Sequence, residues 1–194
     1  VLAAGGIAAI ATYDLMPVTR LGRIVAQART AARHLVAFAP EFGGDPARFT
    51  ASGHSAGAHL ASYLAATGPE DTGPEEPTPD LAPVSGLLLA SGIYDLSGIP
   101  GSFLKDEAGM LAEEARAWSP LTSAQTSGPL RIITRGENET APFQDQAENM
   151  AQLVAGKGGA ELRREQGLNH LTIVLALADP LHPLGRRLAD LVAG

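Results

Sequence analysis

The chain has 194 residues, a length suited to one domain with a sizeable core, and 45% of them are hydrophobic against 18% charged. A formal charge of −7 supplies no basic patch for phosphates or anionic lipid, so neither nucleic acid nor a membrane is expected as a partner. The absence of cysteine excludes disulfides, thiolate chemistry and cysteine-based zinc sites.

Residues 1–13 are apolar, but Asp14 and Pro17 follow too soon for a bilayer span, and no charged leader or cleavage site precedes them. They predict a buried strand over residues 7–13 that starts abruptly, as in a chain lacking its first strands, and the expected location is cytoplasmic. Apolar residues then recur at Leu21, Ile24, Val25, Ala28, Leu35, Val36 and Phe38, predicting a helix over 20–39 with arginines on its other face. Gly43-Gly44-Asp45-Pro46 reads as a turn and residues 48–52 as a strand.

Next comes Gly53-His54-Ser55-Ala56-Gly57, opening an Ala/Leu helix that runs to about Thr67. In a chain with 22 glycines, Gly-x-Ser-x-Gly alone says little. Between a strand and a helix it predicts a nucleophile elbow, a sharp turn that lifts the serine hydroxyl out of the sheet. Such a turn asks for small residues two before and two after the serine, and Gly53 and Gly57 meet that need.

Residues 68–83, rich in proline and acidic side chains, read as an exposed loop. Residues 85–91 form a continuous apolar run, the mark of a strand covered on both faces. A helical segment over 104–118, a strand over 130–135, a helix over 142–155, a strand over 160–165 and closing helices over 171–177 and 184–192 complete the chain. Apolar strands alternating with helices predict a mostly parallel α/β sheet with helices on both faces, in one domain over residues 1–194.

A serine nucleophile needs a base and an orienting carboxylate, which in this kind of fold follow it in the order Ser, Asp/Glu, His. Downstream of Ser55 and the helix that carries His59, the histidines are His170, in a polar turn after the last strand, and His182, near two prolines. His170 is the expected base and His182 a surface turn residue. The acid is expected after the strand over 130–135, where Glu139 is favoured, Glu137 is the alternative, and Asp145 sits within the next helix and is aimed less well. The Ala56 amide supplies one oxyanion donor. Gly5-Gly6 is a poor substitute for a second, since no strand precedes it. His54 and His59 straddle the elbow and lack metal-ligand spacing; no metal and no cofactor are expected.

Three stretches extend the likeness beyond the elbow. Tyr13-Asp14-Leu15-Met16-Pro17 resembles the Tyr-x-Leu-x-Pro of α/β-hydrolase esterases. Residues 53–61 and Ser91-Gly92-Ile93-Tyr94-Asp95-Leu96 are similar to the kynurenine formamidase (arylformamidase) branch of that superfamily, as are residues 136–143 with Gln146, and Asn169-His170. The resemblance covers nearly the whole chain. It implies an α/β-hydrolase fold, a Ser55–Glu139–His170 triad and hydrolysis of a formamide or carboxylic ester. The chain departs from the branch in carrying glutamate where aspartate is usual, and in lacking the first strands and the His-Gly-Gly oxyanion loop. The expected partner is therefore a small-molecule formamide or ester. An N-formylkynurenine-type formamidase leads, with a short-acyl carboxylesterase and a catalytically incomplete fragment or binding module as alternatives. An uncovered edge strand invites pairing with a second copy, as a homodimer.

Overall fold

A computed structural model describes residues 1–69 and 81–194. Its centre is a four-stranded, all-parallel sheet in the order β1 (Thr50–His54), β2 (Gly86–Ala90), β3 (Leu130–Gly136), β4 (Ala160–Glu165). The expected α/β architecture is present, and the middle strand explains why. Along β2, Leu87 and Leu89 face one layer while Leu88 and Ala90 face the other, so both sides must be covered.

Seven helices are described: α1 (Leu21–Phe38), α2 (Ala56–Ser62), α3 (Lys105–Ala108), α4 (Ala112–Ala117), α5 (Ala141–Val154), α6 (Thr172–Ala178) and α7 (Pro183–Ala193). On one face Ala58 and Ala61 of α2 and Ala147, Met150 and Val154 of α5 close over Leu87, Leu89 and Ile133. On the other, Ile173 and Ala176 of α6 and Leu184 of α7 close over Leu88, Ala90 and Ile132. An outer cluster of Leu21, Ile24 and Val25 with Leu60, Tyr63 and Trp118 seats α1 and α4 on α2. The α1 N-terminus is capped from a distance: the Leu21 N–H donates to Glu114 of α4 at 3.0 Å, and Arg20 pairs with the same carboxylate. That places a negative charge on the positive end of the helix.

Several expectations are corrected. Residues 7–13 form no strand. Ile7 is 54% and Ile10 95% exposed, because an extended segment is held in a sheet only by ladder bonds to a neighbour, and this one has no strand partner among the described residues. The helix over 104–118 is two short helices. Gly109 adopts a left-handed φ of +52°, ends α3 and lies against Pro17, where a Cβ would come within 2.8 Å. The elbow helix ends at Ser62 and passes into a 3₁₀ turn over Tyr63–Ala65. Within the acidic, proline-rich loop read over 68–83, residues 70–80 lie outside the described ones.

Candidate active site

Ser55 stands between the end of β1 and the start of α2 with φ 55° and ψ −118°, a conformation non-glycine residues rarely hold. Its N–H donates to Ala90 O on β2 at 2.9 Å, which ties the turn to the neighbouring strand. Gly53 is required as expected: a Cβ there would lie 2.2 Å from Gly57 O. Gly57 is not, since a Cβ at that position would meet open space. The turn is crowded on the strand side only.

The loop after β4 brings His170 to the serine, with Nε2 3.1 Å from Ser55 Oγ. This loop is locked on both sides. Asn169 Oδ1 accepts from the N–H groups of Leu171 and Thr172, both at 3.0 Å, and so starts α6. Upstream, the Asn138 N–H donates to Leu168 O at 2.8 Å. The approach is so close that a Cβ on Gly136 would lie 2.5 Å from Leu168 O. The imidazole itself lies between Phe143 of α5, ring centroids 4.2 Å apart, and His54, 4.6 Å apart.

The two candidate carboxylates on the loop after β3 have different surroundings. Glu139 has a fully buried side chain and sets Oε1 3.5 Å from His170 Nδ1. Both Glu139 Oε2 and His170 Nδ1 are buried without a hydrogen-bond partner among the described residues. At 3.5 Å, Glu139 Oε1 and His170 Nδ1 are beyond an ordinary N–H···O distance. The Glu139 carbonyl is held by Gln144 Nε2 at 2.7 Å, and Gln144 in turn accepts from Arg135 at 3.1 Å. Glu137 instead accepts from the Gly167 N–H at 2.8 Å and pairs with Arg164 at 2.5 Å. It braces the loop that carries His170 without facing the imidazole. Asp145 is exposed on α5. His182 caps α7, its Nδ1 accepting from the Leu184 N–H at 3.1 Å, which is a more specific role than the surface turn expected of it.

Ala56 is the first residue of α2, where a helix leaves its N–H groups without intrahelical acceptors. Gly5-Gly6 lies elsewhere. A Cβ on Gly6 would meet Val192 of α7, whose neighbour Leu191 lies against Gly86 at the start of β2, and Arg48 before β1 binds the carbonyls of Val192 and Ala193. That is the N-terminal end of the strands, opposite Ser55.

Reasoning from sequence passed over three neighbours. His54 Nε2–H donates to the carbonyl of His170 at 2.8 Å; burial, then the adjacent His170, holds its imidazole below the ordinary value, favouring the neutral form. Ser91, fully buried at the end of β2, donates its hydroxyl to Glu139 Oε1. Tyr94, also fully buried, has its hydroxyl pushed upward by burial and then by the charge of Glu139. Ser91 and Tyr94 both fall in a stretch already quoted for its resemblance, and their place after an apolar strand was the available signal. His59, by contrast, belongs to the scaffold: its Nε2–H donates to Trp118 O at 2.8 Å.

Residues 1–192 match the family described as the alpha/beta hydrolase fold. A kynurenine formamidase of Salmo salar is 27% identical over 174 residues, spanning 86% of this chain and 56% of that protein. One from Danio rerio is 28% identical over 147 residues, spanning 72% and 48%. The chain thus spans about half the length of the curated relatives it matches. Among solved structures, a thermophilic esterase of Thermogutta terrifontis, Est2, is 25% identical with a TM-score of 0.62, covering 81% of this chain and 58% of that one.

Proposed function

Since the chain belongs to the α/β-hydrolase family, we propose that it cleaves a small acyl amide through an acyl-enzyme on Ser55, as an N-formylkynurenine-type formamidase. The observation that carries this reading is the 3.1 Å approach of His170 Nε2 to Ser55 Oγ, with the buried Glu139 behind the imidazole. Ser55 Oγ attacks the formyl carbon while His170 Nε2 takes its proton. Glu139 holds the imidazole tautomer and stabilises the imidazolium, and the Ala56 N–H donates to the oxyanion. The C–N bond then breaks and His170 returns the proton to the leaving amine. Water, deprotonated by His170, attacks the formyl-serine; the C–Oγ bond breaks, formate leaves and His170 returns the proton to Ser55 Oγ.

The choice of a formamide rests on the two formamidases among the relatives. A second reading, hydrolysis of short acyl esters, is favoured by the likeness to the Thermogutta esterase. Both use the same attack and differ only in the leaving group. Turnover of N-formylkynurenine beside p-nitrophenyl acetate, with Ser55→Ala as control, separates them. Formamide turnover well above ester turnover, lost in the variant, upholds the first reading; ester turnover alone replaces it with the second. No Ser55-dependent turnover of either compound would return the chain to the incomplete-fragment or binding-module alternative.

A further inference from the structure

We propose that Ser91 is a positioning residue for this site: its hydroxyl fixes the Glu139 carboxylate that faces His170. The inference rests on the roles proposed above for Ser55, His170 and Glu139, and assigns the next residue outward.

Three observations meet at Ser91. Its hydroxyl donates to Glu139 Oε1, and among the described residues this is the one hydrogen bond to either carboxylate oxygen, Oε2 having none. Its backbone is left-handed, with φ 49°, which serine adopts at a cost. That conformation is held on one side by the Ser91 N–H donating to Thr134 O at 2.8 Å, the last rung of the β2–β3 pairing. On the other side Gly92 lies under the Tyr94 ring, which a Cβ at 92 would strike at 2.3 Å. Glycine is the residue suited to such a φ and would fill position 91 without strain. A serine there retains the strain and contributes a hydroxyl, and the hydroxyl is spent on the carboxylate.

The need follows from the length of glutamate. Its side chain has one more rotatable bond than aspartate, so a carboxylate at Glu139 has an added way to turn from the imidazole. The same Oε1 that Ser91 holds is the atom 3.5 Å from His170 Nδ1, so the Ser91 bond restrains that torsion where it matters. Hydrogen bonds to charged groups are stronger than those between neutral ones, so one such bond is enough to hold the torsion.

The test is the rate at which a fluorophosphonate probe labels Ser55, followed by intact mass. Labelling forms an Oγ–P bond, breaks P–F and passes the serine proton to His170, so it reads the site without presuming the substrate. Ser91→Gly accepts the left-handed φ and removes the side chain; Ser91→Ala removes only the hydroxyl and keeps Cβ. Both are expected to slow labelling about tenfold. In a Glu139→Gln background the same changes should cost less than about twofold, because the group they orient is already neutral. A structural role alone would slow both backgrounds equally, and that result overturns the proposal, as does wild-type labelling in Ser91→Gly. A wild-type protein that is not labelled at Ser55 overturns the nucleophile itself, an outcome distinct from any difference among the variants.

Discussion

The elbow after β1 and the loop after β3 each carry two ionisable side chains close together, and they divide them in opposite ways. In the loop, the buried Glu139 faces His170 and the more exposed Glu137 braces the framework. In the elbow, the buried His59 serves the framework, through Trp118 O, and the half-buried His54 lies against His170. Burial by itself therefore does not mark chemistry. What separates them is which residue they meet: Glu139 and His54 both meet His170, whereas Glu137 binds Gly167 and Arg164 and His59 binds Trp118.

The sharpest way to break this comparison is to neutralise the two carboxylates in turn. On the roles proposed above, Glu139→Gln should lower kcat by up to about 10⁴-fold with the fold intact, the loss seen when the orienting acid of a Ser-His-Asp triad becomes its amide. Steady-state kinetics with a circular dichroism melt checks both halves. If Glu137→Gln proves equally damaging, the division within the loop fails.

The elbow is tested through pH. Burial holds the His59 imidazole down to about 4 from its ordinary 6.5. Between those values the unfolded chain binds a proton that the folded chain refuses, so stability is full above about 6.5 and falls as pH drops toward about 4. The gap corresponds to about 3 kcal/mol, levelling off below the folded value. Urea unfolding at pH 7 and pH 4.5 measures it, and His59→Gln should flatten the slope.

Smaller effects sharpen the picture. His54→Phe keeps a ring beside His170 and removes the N–H that holds its carbonyl, and kcat should fall about tenfold with KM little changed. Glu137→Gln should be the mildest, about twofold in kcat, since an exposed brace contributes at most about 1 kcal/mol.

These distinctions explain how far the sequence could be read. The elbow, the parallel sheet and the order of Ser55, Glu139 and His170 along the chain were legible because each follows from local pattern: small residues at a turn, apolar runs bounded by breakers, polar residues after strands. Glu139 was favoured but Glu137 stayed open beside it, since two carboxylates two residues apart differ chiefly in what the rest of the fold brings to them. Ser91 was hidden for the same reason, its partner lying 48 residues away. The strand predicted over residues 7–13 failed in the opposite sense. Like β2 it is a largely apolar run, but a strand is a property of a pair, and β2 has two neighbours where residues 7–13 have none among the described ones.

The joint between α2 and α4 also gives the protein a built-in optical reporter. Trp118 is its one tryptophan, 6% exposed, set edge-on to Tyr63 at 5.4 Å and carrying the carbonyl that His59 binds. Its emission is therefore blue-shifted in the folded state and reddens when these helices part. Acid that charges the buried His59 is expected to loosen the same joint, so fluorescence would follow the seating of the elbow helix apart from any turnover at Ser55.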